Sequence, residues 1–147
     1  MMTALSSLTA VQLRGEAWPP ETPWQLTGTA NVGTKDLPSG LLLHEEGRLY
    51  RDGLSLAYQA SWSFETDEEG RLWLGHARQG APVRLLVLLP VSDTEWISDQ
   101  PHHCGADLYA ARFTLLPDSA LQLSWQTRGP QKYHIITRFF TTSSLQT

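Results

Sequence analysis

Polar and apolar residues alternate along most of this chain with a period of two, the spacing of a strand with one buried face. Trp24, Leu26, Gly28, Ala30 and Val32 alternate with Gln25, Thr27, Thr29 and Asn31. The clearest case is residues 55–65. There Leu56, Tyr58, Ala60, Trp62 and Phe64 point one way, and Ser55, Gln59, Ser61, Ser63 and Glu65 the other. Residues 41–50 read as a strand or hairpin half broken at Gly47. Segments 71–77, 84–89, 94–98, 102–116, 120–128 and 132–141 complete the set. Between them lie compact turns rich in Gly, Pro, Asp and Ser: Thr66-Asp67-Glu68-Glu69-Gly70, Gln79-Gly80-Ala81-Pro82, Pro117-Asp118-Ser119 and Arg128-Gly129-Pro130. Helical spacing occurs at residues 3–11, where Thr3 is placed to cap and Leu5, Leu8 and Val11 share a face.

About eight to ten short strands in sequence order, joined by tight turns after one short helix, predict an all-β fold. Inward alternation and an aromatic interior favour a closed antiparallel up-and-down barrel, which leaves no exposed edge. A two-sheet sandwich is the alternative. The expectation is a single domain over residues 1–147: helix and lead-in at 1–20, barrel at 21–142, and a frayed tail at 143–147. A chain of 147 residues buries roughly two-thirds of its unfolded surface.

Composition narrows the function classes. With 41% hydrophobic and 18% charged residues the chain is globular, and at net charge −4 without a Lys/Arg block it lacks a footprint for nucleic acid or an anionic membrane. The longest apolar run, residues 85–89, is far too short to span a bilayer. The start carries no signal-peptide pattern, and a single cysteine cannot staple the fold. These features predict a cytoplasmic protein.

Candidate chemistry gathers in His102-His103-Cys104-Gly105-Ala106-Asp107-Leu108-Tyr109 and, later, in Gly129-Pro130-Gln131-Lys132-Tyr133. His102-x-Cys104-x-x-Asp107-x-Tyr109, then Trp125, Gly129-Pro130-x-Lys132-Tyr133 and Thr137-Arg138, resemble an uncharacterised bacterial family of calycin-type barrels. Gly28-Thr29-Ala30, residues 58–64 and Gly70-Arg71 fall in that family's order. Two positions depart from its pattern: an early Gly-x-Trp is Gly15-x-x-Trp18 here, and Gln131 stands where a basic residue is usual. The resemblance spans nearly the whole chain and implies a lipocalin-like (calycin) barrel. It implies no activity, the family being a domain of unknown function.

A bulge at Gly105 would bring His102, Cys104, Asp107 and Tyr109 onto one interior face. Four readings follow. Imidazole, thiolate and carboxylate are competent zinc ligands, although the motif lacks an obvious third strong ligand beyond Asp107, with His76 or His44 available only if the fold brings them near. Cys104, His102 and Asp107 supply the residue types of a nucleophile, base and orienting acid. The same side chains also serve as polar anchors in an aromatic pocket, with Tyr58, Trp62 and Trp125 as walls and Lys132 or Arg138 placed to meet an acidic headgroup. Finally, small barrels are often filled by their own side chains, with Cys104 a small buried hydrophobe and Asp67-Glu68-Glu69 a solvated hairpin tip. His103, facing outward, has no role.

The reading carried forward is a barrel that binds a small apolar or amphiphilic molecule through His102, Cys104, Asp107, Tyr109, Lys132, Tyr58, Trp62 and Trp125. No catalytic residue, metal or cofactor is assigned. A structural or partner-binding domain would instead show an apolar patch near Phe139-Phe140 or Trp96-Ile97. A homodimer is compatible with every reading.

Overall fold

The computed structural model describes residues 2–78 and 81–142, so the expected turn at 79–80 and the tail at 143–147 lie outside the described residues. Among the described residues one short α-helix, α1 (Met2–Ser6), precedes eleven strands: β1 (Ala10–Ala17), β2 (Gln25–Leu37), β3 (Gly40–Arg51), β4 (Leu54–Thr66), β5 (Leu72–Arg78), β6 (Ala81–Pro90), β7 (Glu95–Ser98), β8 (His102–Cys104), β9 (Asp107–Leu115), β10 (Leu121–Arg128) and β11 (Tyr133–Thr141). Consecutive strands pair antiparallel except β7 and β8, and β11 returns to β1. Pairing of β7 with β9 closes the ring, so ten strands form the barrel wall and β8 lies outside it. This is the all-β antiparallel barrel that the alternation predicts.

The helix is shorter than its spacing suggests. Ser6 and Ser7 donate their hydroxyls back to Thr3 O and Ala4 O, the competition with backbone that ends helices early. A helix of five residues has little stability of its own, and it survives because Leu5 is fully buried. From residue 10 the chain follows period two: Val11, Leu13, Gly15 and Ala17 are buried, and Gln12, Arg14 and Glu16 are exposed. Strand β1 thereby gains hydrogen-bonded ladders on both sides, to β2 and β11, which outweighs the helical spacing of Leu5, Leu8 and Val11. The barrel wall begins at Ala10, inside the stretch expected to be helix and lead-in.

Glycine has a different role from the one anticipated at two places. Strand β3 runs unbroken through Gly47, which pairs with Ala30; a side chain there would collide with Thr29 O, so glycine permits close approach of the backbones. At Gly105 there is a hairpin in place of a bulge. Cys104 pairs with Asp107, leaving the two-residue turn Gly105-Ala106 with Gly105 at φ +64°. A register shift does occur, between Leu74 and Gly75 on β5.

The core sits towards one end. Leu43, Phe64, Leu74, Phe113, Leu121 and Leu123 are completely buried there, and Phe64 meets Phe113 edge-to-face at 5.5 Å. Each such side chain contributes about 1.5–3 kcal/mol by leaving water. Phe140 belongs to this core at 1% exposure, so it is no part of an exposed patch. Helix α1 closes the same end, with Leu5 and Leu8 in the core cluster. The opposite end carries the β3–β4, β8–β9 and β10–β11 turns, and there many of the inward-facing positions are polar, aromatic or exposed.

Candidate functional site

Direct pairing of His102 with Tyr109 and Cys104 with Asp107 puts these four on one face of the β8–β9 ribbon. The expected sharing of a face holds, through a hairpin and not a bulge. Their environments differ. The His102 ring stacks on Tyr109 at 6.1 Å and 20°, and the Asp107 carboxylate forms an ion pair with Lys132 Nζ at 3.2 Å. Asp107 also lies against Gly129, where a side chain would collide with it; this fits the Gly129-Pro130 turn to the hairpin. Cys104 is exposed, contrary to both the interior placement and the buried-hydrophobe reading, because the short hairpin carries it past the barrel rim.

Aromatic rings lead inward from this ribbon. Tyr109 meets Trp125 at 5.2 Å, and Trp125 meets Trp62 at 5.3 Å, both tilted. The Arg138 guanidinium lies 4.6 Å above the Trp62 ring and donates from Nε to Glu45 Oε2 at 2.8 Å. Tyr58 donates its hydroxyl to Glu45 Oε1 at 3.1 Å. Burial pushes the Tyr58 phenol up from its ordinary value, and the neighbouring Glu45 carboxylate adds to that. Tyr58, Trp62, Trp125, Tyr109, His102, Asp107 and Lys132 are therefore brought to one region.

Glu45 completes the floor of this region, and the motif reading does not find it. A carboxylate at 0% exposure is unusual, and its pairing with Arg138 is what permits it. The signal lies in the alternation: Glu45 falls on the same phase as Leu41 and Leu43, and Arg138 on the phase of Phe140. Buried pairs of this kind seldom add stability over apolar replacements, but removing one partner alone costs about 3–5 kcal/mol. Among the described residues Trp62 Nε1 is buried without a hydrogen-bond partner, an arrangement that costs about 1–3 kcal/mol.

Beyond this floor apolar side chains are exposed. Leu54 and Leu56 lie on the inward phase of β4, four and two residues from Tyr58, yet they are 68% and 64% exposed. Val83, opposite His76 and in turn opposite Trp62, is 41% exposed. The remainder of this end is covered by the 18–24 segment. There Glu21 accepts from Trp24 Nε1 at 2.6 Å and Tyr133 N at 3.0 Å, and meets His134 Nδ1 at 2.8 Å. Burial works to raise the Glu21 carboxyl, but these hydrogen bonds outweigh it and hold the group below its ordinary value.

Two further points concern chemistry proposed from sequence. Among the described residues no three His, Cys, Asp or Glu side chains are grouped to hold a metal ion. Asp67 is not a solvated tip residue. Its carboxylate accepts from Trp73 Nε1 at 2.9 Å, from the backbone N–H groups of Glu69 and Arg71, and from Arg71 Nε at 2.7 Å. The Trp73 bond, with those from Arg71, holds the Asp67 carboxyl far below the usual range. Among the described residues no helix is long and apolar enough to cross a membrane.

Comparison with known proteins gives the family and the fold. The chain belongs to the DUF6314 family, a family of unknown function, which it matches over residues 17–141. No curated protein matches its sequence. Among solved structures it is similar to the S-type phycobiliprotein lyase CPES from Guillardia theta, with a TM-score of 0.68 at 6% identity, covering 98% of this chain and 92% of that one. This likeness shows a shared barrel fold. A protein assigned as an AttH from Nitrosomonas europaea aligns at a TM-score of 0.25 and 13% identity, over 94% of this chain and 53% of that one, too loosely to bear on the fold.

Proposed function

We propose that this barrel binds a small apolar or amphiphilic molecule at its open end. The observation that carries the reading is the exposure of inward-phase apolar side chains, Leu54, Leu56 and Val83, directly above a polar and aromatic floor. Apolar walls with a few convergent polar groups are the ordinary composition of a small-molecule site. Tyr58, Trp62, Trp125 and Tyr109 form the deeper part, and His102, Asp107 and Lys132 the rim. Exposed Cys104 stands beside the entrance, and in a reducing cytoplasm it would remain a thiol. The likeness to the lyase supplies the scaffold and says nothing of the ligand.

Two measurements test this. The protein taken directly from its host is compared by native and denaturing mass spectrometry, and an added mass that leaves on unfolding is expected. The purified protein is then titrated with 2-ethylnaphthalene while tryptophan fluorescence is followed, with saturable quenching expected from Trp62 and Trp125. Absence of both signals overturns the reading.

A further inference from the structure

We propose that the ligand is electrically neutral and carries a hydrogen-bond acceptor, which the barrel reads with the indole N–H of Trp62. This rests on the binding reading above and deepens it. The argument starts from charge. Three inward or rim groups able to carry positive charge each face a carboxylate: Arg138 faces Glu45 at 2.8 Å, Lys132 faces Asp107 at 3.2 Å, and His134 faces Glu21 at 2.8 Å. An anionic headgroup entering this region would meet cations already compensated, and it would lose its hydration beside three carboxylates. The expectation that Lys132 or Arg138 receives an acidic headgroup is therefore replaced by one for a neutral group.

The second observation is the unsatisfied donor. Trp62 is 8% exposed, and among the described residues its Nε1 has no partner, while its ring packs against both the Arg138 guanidinium and the Trp125 ring. Arg138 is committed through Nε to Glu45, and the Tyr58 hydroxyl donates to the same carboxylate. The indole N–H thus remains a neutral donor buried within the floor, and an indole donates without accepting. A carbonyl or ether oxygen brought to it gains a hydrogen bond that the protein alone does not make, whereas a hydrocarbon of the same shape gains nothing there.

Three probes of nearly equal size separate the possibilities: 2-acetylnaphthalene (neutral acceptor), 2-naphthoate (anion) and 2-ethylnaphthalene (no acceptor). Titration calorimetry is expected to rank them in that chemistry, with the ketone about three- to tenfold tighter than the hydrocarbon, the worth of one net hydrogen bond, and the naphthoate weakest. Trp62→Phe keeps the ring and removes the donor. It should bring the ketone down to the hydrocarbon and leave the hydrocarbon unchanged. Glu45→Gln frees Arg138 from its charge partner and should raise naphthoate binding above that of the wild type. Should Glu45→Gln fail to fold, the Trp62→Phe comparison decides alone. Naphthoate binding tightest in the wild type, or equal loss of ketone and hydrocarbon in Trp62→Phe, overturns the inference and leaves the binding site standing. Failure of all three probes to bind overturns the site and the inference together.

Discussion

The two ends of this barrel are built from the same strands and the same alternation, yet one is solid and the other is not. At the closed end, inward positions are mostly Leu and Phe, and helix α1 and the turn after it seal them with Leu5 and Leu8. Further along the same strands the inward positions become Glu45, Tyr58, Trp62 and Arg138, and beyond them Leu54 and Leu56 face solvent. Strand β4 shows the whole gradient, from buried Phe64 through Tyr58 to exposed Leu54. The contrast shows a division of work along each strand. Close packing at one end stabilises the fold, and that leaves the other end free to carry polar groups and exposed apolar surface that would weaken a core.

Truncation in the closed end should show the largest effect. Phe113→Ala removes a fully buried ring that touches both Phe64 and Trp96, and it should cost about 3–5 kcal/mol in urea unfolding. A loss below about 1 kcal/mol would show that the closed end is not the stabilising one. The boundary between the ends is probed next. Glu45→Leu alone strands the Arg138 charge and should cost about 3 kcal/mol, whereas Glu45→Leu with Arg138→Met should recover most of that loss. Equal losses in the single and double variants would mean that the pair is not energetically coupled.

Titration sharpens the comparison further. The Asp67 carboxyl is depressed in the folded state, so its contribution is present above its ordinary value of 3.8 and is lost as pH falls. The stability gap between wild type and Asp67→Asn should therefore be constant near neutrality and close below about pH 4. Tyr58 has the opposite sign. Its pKa is raised in the folded state, so its contribution is present below the ordinary value of 10.0 and is lost as pH rises beyond that. The gap between wild type and Tyr58→Phe should shrink in alkaline urea titrations, and a gap that widened would contradict the buried Tyr58–Glu45 contact. The smallest stability effect belongs to the open end. Leu56→Ser should alter unfolding by no more than about 0.5 kcal/mol while weakening 2-ethylnaphthalene binding, because its side chain is already largely in water.

Much of this was legible without coordinates. Period-two alternation marked β2 and β4 and most later strands, because one buried face repeats at every second residue whatever the strand's neighbours are. Beyond the motif, that alternation also held an unread signal, Glu45 and Arg138 on apolar phases. Strand β1 escaped because Leu5, Leu8 and Val11 satisfy helical spacing equally well, and the deciding ladders to β2 and β11 involve residues far off in sequence. The hairpin at Gly105 escaped because a glycine suits a bulge and a two-residue turn alike.

By itself, then, the sequence determined the class of fold, the residue types at the site, and the gradient from apolar to polar positions along the strands, since all of these follow from local spacing. The tertiary structure alone decided which charges meet, which end is closed, and that Cys104 stands outside while Trp62 lies buried with a donor unpaired among the described residues. Those outcomes depend on contacts between strands distant in sequence, as Glu45 and Arg138 are across 93 positions. Such contacts are fixed by ring closure and strand register, which no local pattern encodes.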